Sequence, residues 1–137
     1  MPSTVANLRA VEKEAKRNDM QWGLIKAKKH NLIVIEPKPN QLQIDLDSAR
    51  AVRAYGMQYN ILRRAGLTRG WKEKISTSRS GKTRLHITIT MPYKIDNLKR
   101  VCMQAVLGSD IKREAFNFCR VENENRYPIV FFEKEKQ

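Results

Sequence analysis

The sequence predicts an α+β fold, and three observations support this prediction. Short β-branched and apolar runs occur between longer segments whose apolar residues recur at helical spacing. Prolines, glycines and polar clusters separate these segments. The length of 137 residues suits one domain with its own apolar core. We therefore predict a single domain over 1–137, with a basic N-terminal extension over 1–40 and a core over 41–133.

The N-terminal half predicts two helices and two strands. A charged amphipathic helix is expected over 4–18, followed by a short β-branched strand over 31–35. After two prolines, a second strand is expected over 41–47. The helix after it is expected to end at Gly66. Its apolar residues fall at positions i, i+3, i+7 and i+10: Val52, Tyr55, Tyr59 and Leu62.

The C-terminal half predicts three strands and two helical segments. Strands are expected over 71–76 and 85–90, joined by a polar turn that contains a glycine. A helix capped by Asp96 or Asn97 follows and is broken at Gly108. The last strand is expected over 128–132. The helical segment before it begins at Ser109 or Asp110, and four of its residues are expected to face inward: Ile111, Ala115, Phe118 and Cys119.

From 41 to 133 these elements follow the order β-α-β-β-α-β. This order is typical of ferredoxin-like folds, which include the RRM-like shape. In such a sheet the first and third strands are adjacent and antiparallel. The end of the 41–47 strand is therefore expected to meet the start of the 85–90 strand.

The net charge of +13, from 27 Lys and Arg against 14 Asp and Glu, favours a polyanionic partner. Nucleic acid is the commonest partner of this kind, although a protein that is merely soluble and basic would show the same composition. No apolar run approaches the roughly 20 residues of a membrane span. The N-terminus lacks the apolar region of a signal peptide. We therefore expect a cytoplasmic protein that binds DNA or RNA and no membrane.

Two carboxylates mark the end of the 41–47 strand. Asp45 and Asp47 are two residues apart, so they would share one face of the strand. Paired carboxylates supply the oxygen ligands that a divalent cation such as Mg²⁺ prefers. Two simpler interpretations stay open, in which Asp47 caps the following helix and Asp45 pairs with an arginine.

His86 would lie on the same edge of the sheet as these carboxylates, because its strand is predicted to run antiparallel to theirs. The basic turn before it contains Arg79, Lys82 and Arg84, which could meet phosphates. A histidine on the polar face of a strand is more often a solvated or hydrogen-bonded residue than a functional one.

This combination resembles the archaeo-eukaryotic primase superfamily. Its members carry an acidic pair on a hydrophobic strand, then a Ser-x-His-type motif, then a third acidic residue. The matching stretches are IDLD at 44–47 and SRSGKTRLHITI at 78–89. The stretch LGSDIKREAFNFCRV at 107–121 is similar to the Arg-rich helical region of plasmid- and phage-type primase-polymerases.

The resemblance implies a divalent-metal-dependent nucleotidyltransferase of phage or plasmid DNA replication, minimal or inactive in form. Asp45, Asp47 and Asp110 would bind catalytic Mg²⁺ or Mn²⁺, with Glu114 and Glu133 as rivals for the third position. His86 would contact the phosphates of the incoming nucleotide. Further contacts to nucleotide or nucleic acid would come from seven residues: Ser78, Arg79, Ser80, Lys82, Arg84, Arg113 and Arg120.

A second functional class fits the same charge and fold. The protein would then be a non-enzymatic DNA- or RNA-binding module or regulator. The two classes differ in metal dependence, since only the enzyme requires Mg²⁺ or Mn²⁺. In either class a protein partner or a homo-oligomer is possible.

Overall fold

The computed structural model describes residues 32–77, 84–124 and 128–134. The helix predicted over 4–18 lies outside these residues. Within them the chain has an α+β fold. The elements in chain order are β1 (Leu32–Ile35), β2 (Gln41–Leu46), α1 (Ala49–Arg64), β3 (Lys72–Thr77), β4 (Leu85–Thr90), α2 (Asn97–Val106), α3 (Ile111–Glu122) and β5 (Phe131–Lys134).

Three of the strands form an antiparallel sheet in the order β2-β4-β3. β4 is the central strand, and its neighbours run antiparallel to it on both sides. The predicted adjacency of the 41–47 and 85–90 strands is therefore confirmed. Asp45 lies directly opposite His86 in this register.

The apolar core lies on one face of this sheet. Alternate residues of β2 and β4 point to it, and the side chains of Leu42, Ile44 and Ile89 are fully buried there. α1 adds Tyr55 to this core, and Leu107 joins it from the turn after α2. Burial of each such side chain stabilises the fold by about 1.5–3 kcal/mol.

The helices begin at polar residues that satisfy their first free N–H groups. Ser48 caps α1 by accepting a hydrogen bond from the Ala51 N–H, so the interpretation of Asp47 as the cap is wrong. Asp96 caps α2 and Asp110 caps α3, as the sequence predicted. None of the described helices combines the length and the apolar character that a membrane span requires.

The inward face of α3 differs from the prediction. Ile111 is 73% exposed and Phe118 is 44% exposed, so neither faces inward. The buried residues of the helix are instead Glu114, Asn117 and Arg120. These polar side chains bond to one another and to Gln104 of α2, and residues of α2 and α3 together bond to one edge of the sheet.

That edge is the outer side of β2. From Gln41 to Asp45, its outward N–H and C=O groups are bonded mainly by residues of α2, α3 and the turn between them. Arg100 Nε donates to the Gln41 carbonyl at 2.7 Å. The Gln43 N–H donates to Gln104 Oε1 at 2.8 Å, and the Gln43 carbonyl accepts from Arg113 Nη1 at 2.9 Å. The Asp45 N–H donates to Ser109 Oγ at 2.9 Å, and the Asp45 carbonyl accepts from the Asp110 N–H at 2.7 Å.

The predicted fourth strand of the sheet therefore takes another partner. β5 pairs antiparallel with β1 in a separate two-stranded ribbon, with Phe131 opposite Ile35. A strand cannot add to β2 where side chains already hold its backbone groups. The described sheet thus has three strands, and the strand predicted as its fourth belongs to the separate ribbon.

Candidate functional site

The face of the sheet opposite the core is polar. Residues that lie opposite one another on neighbouring antiparallel strands share a face, and the register defines this set directly. We call it the polar face, and its members are Gln41, Gln43 and Asp45 on β2, His86, Thr88 and Thr90 on β4, and Lys72, Lys74 and Ser76 on β3.

At one end of the polar face, Asp45 and His86 form a close pair. The Oδ1 atom of Asp45 lies 3.5 Å from Nε2 of His86. The imidazole is buried and stacks flat on the Phe131 ring, with 4.0 Å between centroids and an angle of 2° between planes. The β1–β5 ribbon therefore covers this end of the polar face through Phe131.

Arg113 connects this pair to the edge of β2. Its guanidinium carbon lies 4.8 Å from the centroid of the Phe131 ring, within cation–π range. The same guanidinium donates to the carbonyls of Gln43 (2.9 Å) and Val130 (3.1 Å). Arg113 thus joins α3, β2 and the segment before β5, which places Phe131 over His86.

Glu114 provides the countercharge for Arg113 and is only 1% exposed. Its carboxylate accepts from Arg113 Nη1 at 2.7 Å and from the side-chain amides of Gln104 and Asn117 at 2.8 Å each. A buried charge is tolerated only with such partners. We call Gln104, Ser109, Arg113, Glu114 and Asn117 the edge network, because these side chains bind the edge of β2 or one another.

Burial raises the pKa of the Asp45 carboxyl above its usual range. The positive charge of Arg113 and the imidazole of His86 oppose this shift, whereas Asp110 and Asp47 add to it. Asp47 and Asp110 are therefore close enough to act on the Asp45 carboxylate electrostatically. Asp47 is exposed, while Asp110 caps α3 and accepts from the Lys112 N–H at 3.3 Å.

The sequence predicts Asp45, Asp47 and Asp110 as the metal ligands. Among the described residues, no group of three or more His, Cys, Asp or Glu side chains is arranged to hold a metal ion. Mg²⁺ requires several oxygen ligands in near-octahedral geometry. Asp45 is placed against His86, and Glu114 is fully engaged by the edge network. The Mg²⁺ or Mn²⁺ site therefore stays a prediction.

The other predicted site residues fall into four groups. Arg84 is exposed immediately before β4. Arg120 is buried in α3 and donates to Asn117 Oδ1, and Arg113 is held as described above. Glu133 lies on β5 opposite Ile33. The remaining four lie outside the described residues: Ser78, Arg79, Ser80 and Lys82.

Two exposed basic residues of the sheet were not among the predicted site residues. Lys72 and Lys74 are exposed on the polar face, where they lie opposite Thr90 and Thr88. Their signal in the sequence is the alternation of KEKIST in β3, which places both lysines on the same side of the strand. None of the described acidic side chains forms an ion pair with either lysine.

Comparisons of this chain with protein-family models, with curated proteins and with solved structures found no match.

Proposed function

We propose that this protein is a non-enzymatic DNA- or RNA-binding module that uses the polar face of its sheet. The observation that carries the proposal is the register that places Lys72 and Lys74 beside Thr90 and Thr88. Two exposed ammonium groups, spaced along one strand, are suited to successive phosphates of a polyanion. Hydroxyl groups next to them are common donors to phosphate and sugar oxygens.

The charge of the whole chain supports this proposal. A net charge of +13 attracts polyanions over a longer range than two lysines alone. The lysines of β3 also have no competing ion pair among the described acidic side chains. Their charges therefore remain available to a partner.

In this proposal the Asp45–His86 pair has a structural role. Asp45 is bonded through its backbone to Ser109 and Asp110, and His86 is stacked beneath Phe131. The stacking of His86 on Phe131 holds the β1–β5 ribbon against one end of the polar face, and the backbone bonds of Asp45 hold β2 to the turn before α3. The end that carries Lys72 is left for the nucleic acid.

A ferredoxin-like, RRM-like arrangement of β2, β4 and β3 is part of the proposal, with α2 and α3 at the β2 edge in the place of the fourth strand. Its support is the strand order β2-β4-β3, in which the first and third strands of the predicted core are adjacent. Proteins with this arrangement can bind nucleic acid on the open face of the sheet.

The second candidate is the metal-dependent nucleotidyltransferase that the primase resemblance implies. Two observations favour it: Asp45 lies opposite His86, with Asp47 two residues further along the chain, and the Asp110 N–H donates to the Asp45 carbonyl at 2.7 Å. These are four of the residues that match the motifs of that superfamily. The two functions require different experiments.

The binding proposal is tested by fluorescence anisotropy with labelled DNA and RNA oligonucleotides over a range of salt concentrations. We expect binding that weakens steeply with salt. Lys72→Ala/Lys74→Ala should reduce the slope of log K against log salt by about 2, since each phosphate contact contributes about 1. The matched control is Arg53→Ala/Arg64→Ala, which removes the same charge from α1, on the core side of the sheet.

Equal weakening by the two double variants would show that only net charge matters, and the polar face would lose its role. Absence of binding by the unchanged protein would contradict the function itself.

The enzymatic candidate is tested by nucleotide incorporation on a primed template with Mg²⁺ and with Mn²⁺. We expect no incorporation above background. Metal-dependent incorporation that disappears in Asp45→Ala/Asp47→Ala, while nucleic-acid binding persists, would replace the binding module with the enzyme.

A further inference from the structure

An exposed tyrosine lies at the end of the sheet remote from Asp45 and His86. Tyr93 follows the end of β4 and is 47% exposed. The nearby Trp71, which precedes β3, is only 9% exposed and belongs to the core. The indole Nε1 of Trp71 donates to the hydroxyl of Tyr93 at 3.2 Å. The core therefore anchors the hydroxyl of Tyr93, while much of the side chain remains open to solvent.

The loop that carries Tyr93 is attached on both sides. The Met91 N–H donates to the Asn40 carbonyl at 2.8 Å, and the Ile95 N–H donates to the Pro39 carbonyl at 3.0 Å. Pro92 packs closely against Gly70, where an added Cβ would lie 3.1 Å from the proline Cγ. A side chain that is already held in place loses little conformational entropy on binding.

Four cationic residues adjoin this loop in the chain or adjoin residues that contact it. Lys94 follows Tyr93 directly, and Lys72 follows Trp71. Arg69 lies in the turn that contacts Pro92, and Lys38 precedes the proline that bonds Ile95. All four side chains are exposed: Lys38, Arg69, Lys72 and Lys94. The acidic residue of the loop, Asp96, is engaged as the cap of α2.

We infer that Tyr93 stacks on an unpaired base and that the protein therefore prefers single-stranded nucleic acid. This inference rests on the proposed function and specifies its substrate class. Proteins that bind single strands combine aromatic side chains, on which bases stack, with cations that follow the backbone. Bases inside a duplex are stacked on their neighbours and offer no such free face. Tyr93 supplies the aromatic ring, and the four adjoining cations supply the backbone contacts.

The test compares Tyr93→Leu with Tyr93→Phe. The probes are fluorescein-labelled oligo-dT, oligo-rU and a hairpin duplex of the same number of nucleotides. Tyr93→Leu should weaken binding of the single strands by about five- to 150-fold, the range for one stacked base. Binding of the duplex should change little. Tyr93→Phe keeps the ring, so its affinity for the single strands should remain close to that of the unchanged protein.

A third variant, Tyr93→Trp, gives a direct signal of stacking. The indole should bind single strands at least as tightly as the tyrosine does. Its fluorescence should be quenched when oligo-dT is added and should be affected less by the duplex. Thermal unfolding of each variant establishes that it is folded before binding is measured.

The outcomes separate the inference from the function on which it rests. If the unchanged protein binds none of the probes, the proposed function fails. If it binds them but Tyr93→Leu behaves like the unchanged protein, or weakens single strands and duplex equally, only the inference fails. The inference also fails if Tyr93→Phe loses as much affinity as Tyr93→Leu, because the hydroxyl and not the ring would then be responsible.

Discussion

The two edges of the three-stranded sheet use polar residues in opposite ways. On the β2 edge, the outward backbone groups are bonded by buried side chains such as Gln104 and Arg113. On the β3 edge, the side chains of Lys72, Lys74 and Ile75 are exposed. One edge is thus closed by the protein itself, and the other faces solvent.

This difference shows that residue type alone does not reveal whether a charged side chain stabilises the fold or faces solvent. Arg113 and Lys74 are both basic, but Arg113 pairs with the buried Glu114, whereas Lys74 has no partner among the described acidic residues. Removal of one partner of a buried charge pair is costly, while an exposed charge contributes little to stability. The two edges therefore predict opposite consequences for mutation.

Glu114→Ala should have the largest effect on stability. It would leave the guanidinium of Arg113 and the amides of Gln104 and Asn117 without their acceptor in the interior. We expect a loss of about 3–5 kcal/mol in the free energy of unfolding, measured by urea denaturation. Lys74→Ala on the other edge is the control and should change it by less than about 0.5 kcal/mol.

Similar losses of unfolding free energy in Glu114→Ala and Lys74→Ala would remove the distinction between the two edges. Glu114→Gln separates the contribution of the charge from that of the hydrogen bonds, because the amide keeps an acceptor oxygen but not the charge. We expect the free energy of unfolding of Glu114→Gln to lie between that of Glu114→Ala and that of the unchanged protein.

Ser109→Ala should have an intermediate effect. The serine Oγ accepts the Asp45 N–H at 2.9 Å, and its loss would leave that buried donor unpaired. We expect a loss of about 1–3 kcal/mol in the free energy of unfolding. Amide hydrogen exchange provides a local measurement, since the Asp45 amide should exchange faster. The Ile44 amide, which points towards β4, is the internal reference, and equal acceleration of both amides would argue against a specific edge bond.

Asp45→Asn should have the smallest effect, and we expect it to be stabilising at neutral pH. Burial raises the pKa of Asp45 in the folded protein above its ordinary value of 3.8. The folded state therefore binds the proton more tightly than the unfolded chain, and the stability from protonation is lost as the pH rises through the raised pKa. Asparagine resembles the protonated acid and does not carry the cost of a buried charge.

The thermal unfolding midpoint of Asp45→Asn should therefore exceed that of the unchanged protein at pH 7. The difference between the two midpoints should shrink as the pH falls towards the ordinary pKa of an aspartate carboxyl. The exposed Asp47→Asn is the control, for which we expect little change. A lower midpoint for Asp45→Asn at pH 7 would show that attraction to His86 and Arg113 outweighs the cost of burial.

Elements whose signals are local were predicted well. The strands at 41–47 and 85–90 and the helix carrying Tyr55 occur within a residue or two of the expected bounds. The caps Asp96 and Asp110 occur as expected, because a cap depends on residues three or fewer positions away. The juxtaposition of Asp45 and His86 also followed from strand order alone.

Features that depend on distant partners were not predictable in this way. Apolar residues were expected on the inner side of α3, but Glu114 is buried there because it meets Arg113 and Gln104. The separation of Trp71 as core and Tyr93 as surface likewise depends on how two turns pack together. Hydrophobic periodicity contains no information about which polar groups will find partners across the fold.

The chain order of the strands and helices and the placement of Asp45 beside His86 follow from local spacing and from a small set of possible strand arrangements. The excess of positive charge follows from composition. Three features are visible only in the folded molecule: α2 and α3 close the β2 edge, β5 pairs with β1, and Lys72 and Tyr93 face solvent. They escape sequence patterns because a buried hydrogen bond or charge is stable only when its partner is present, and that partner comes from a distant part of the chain.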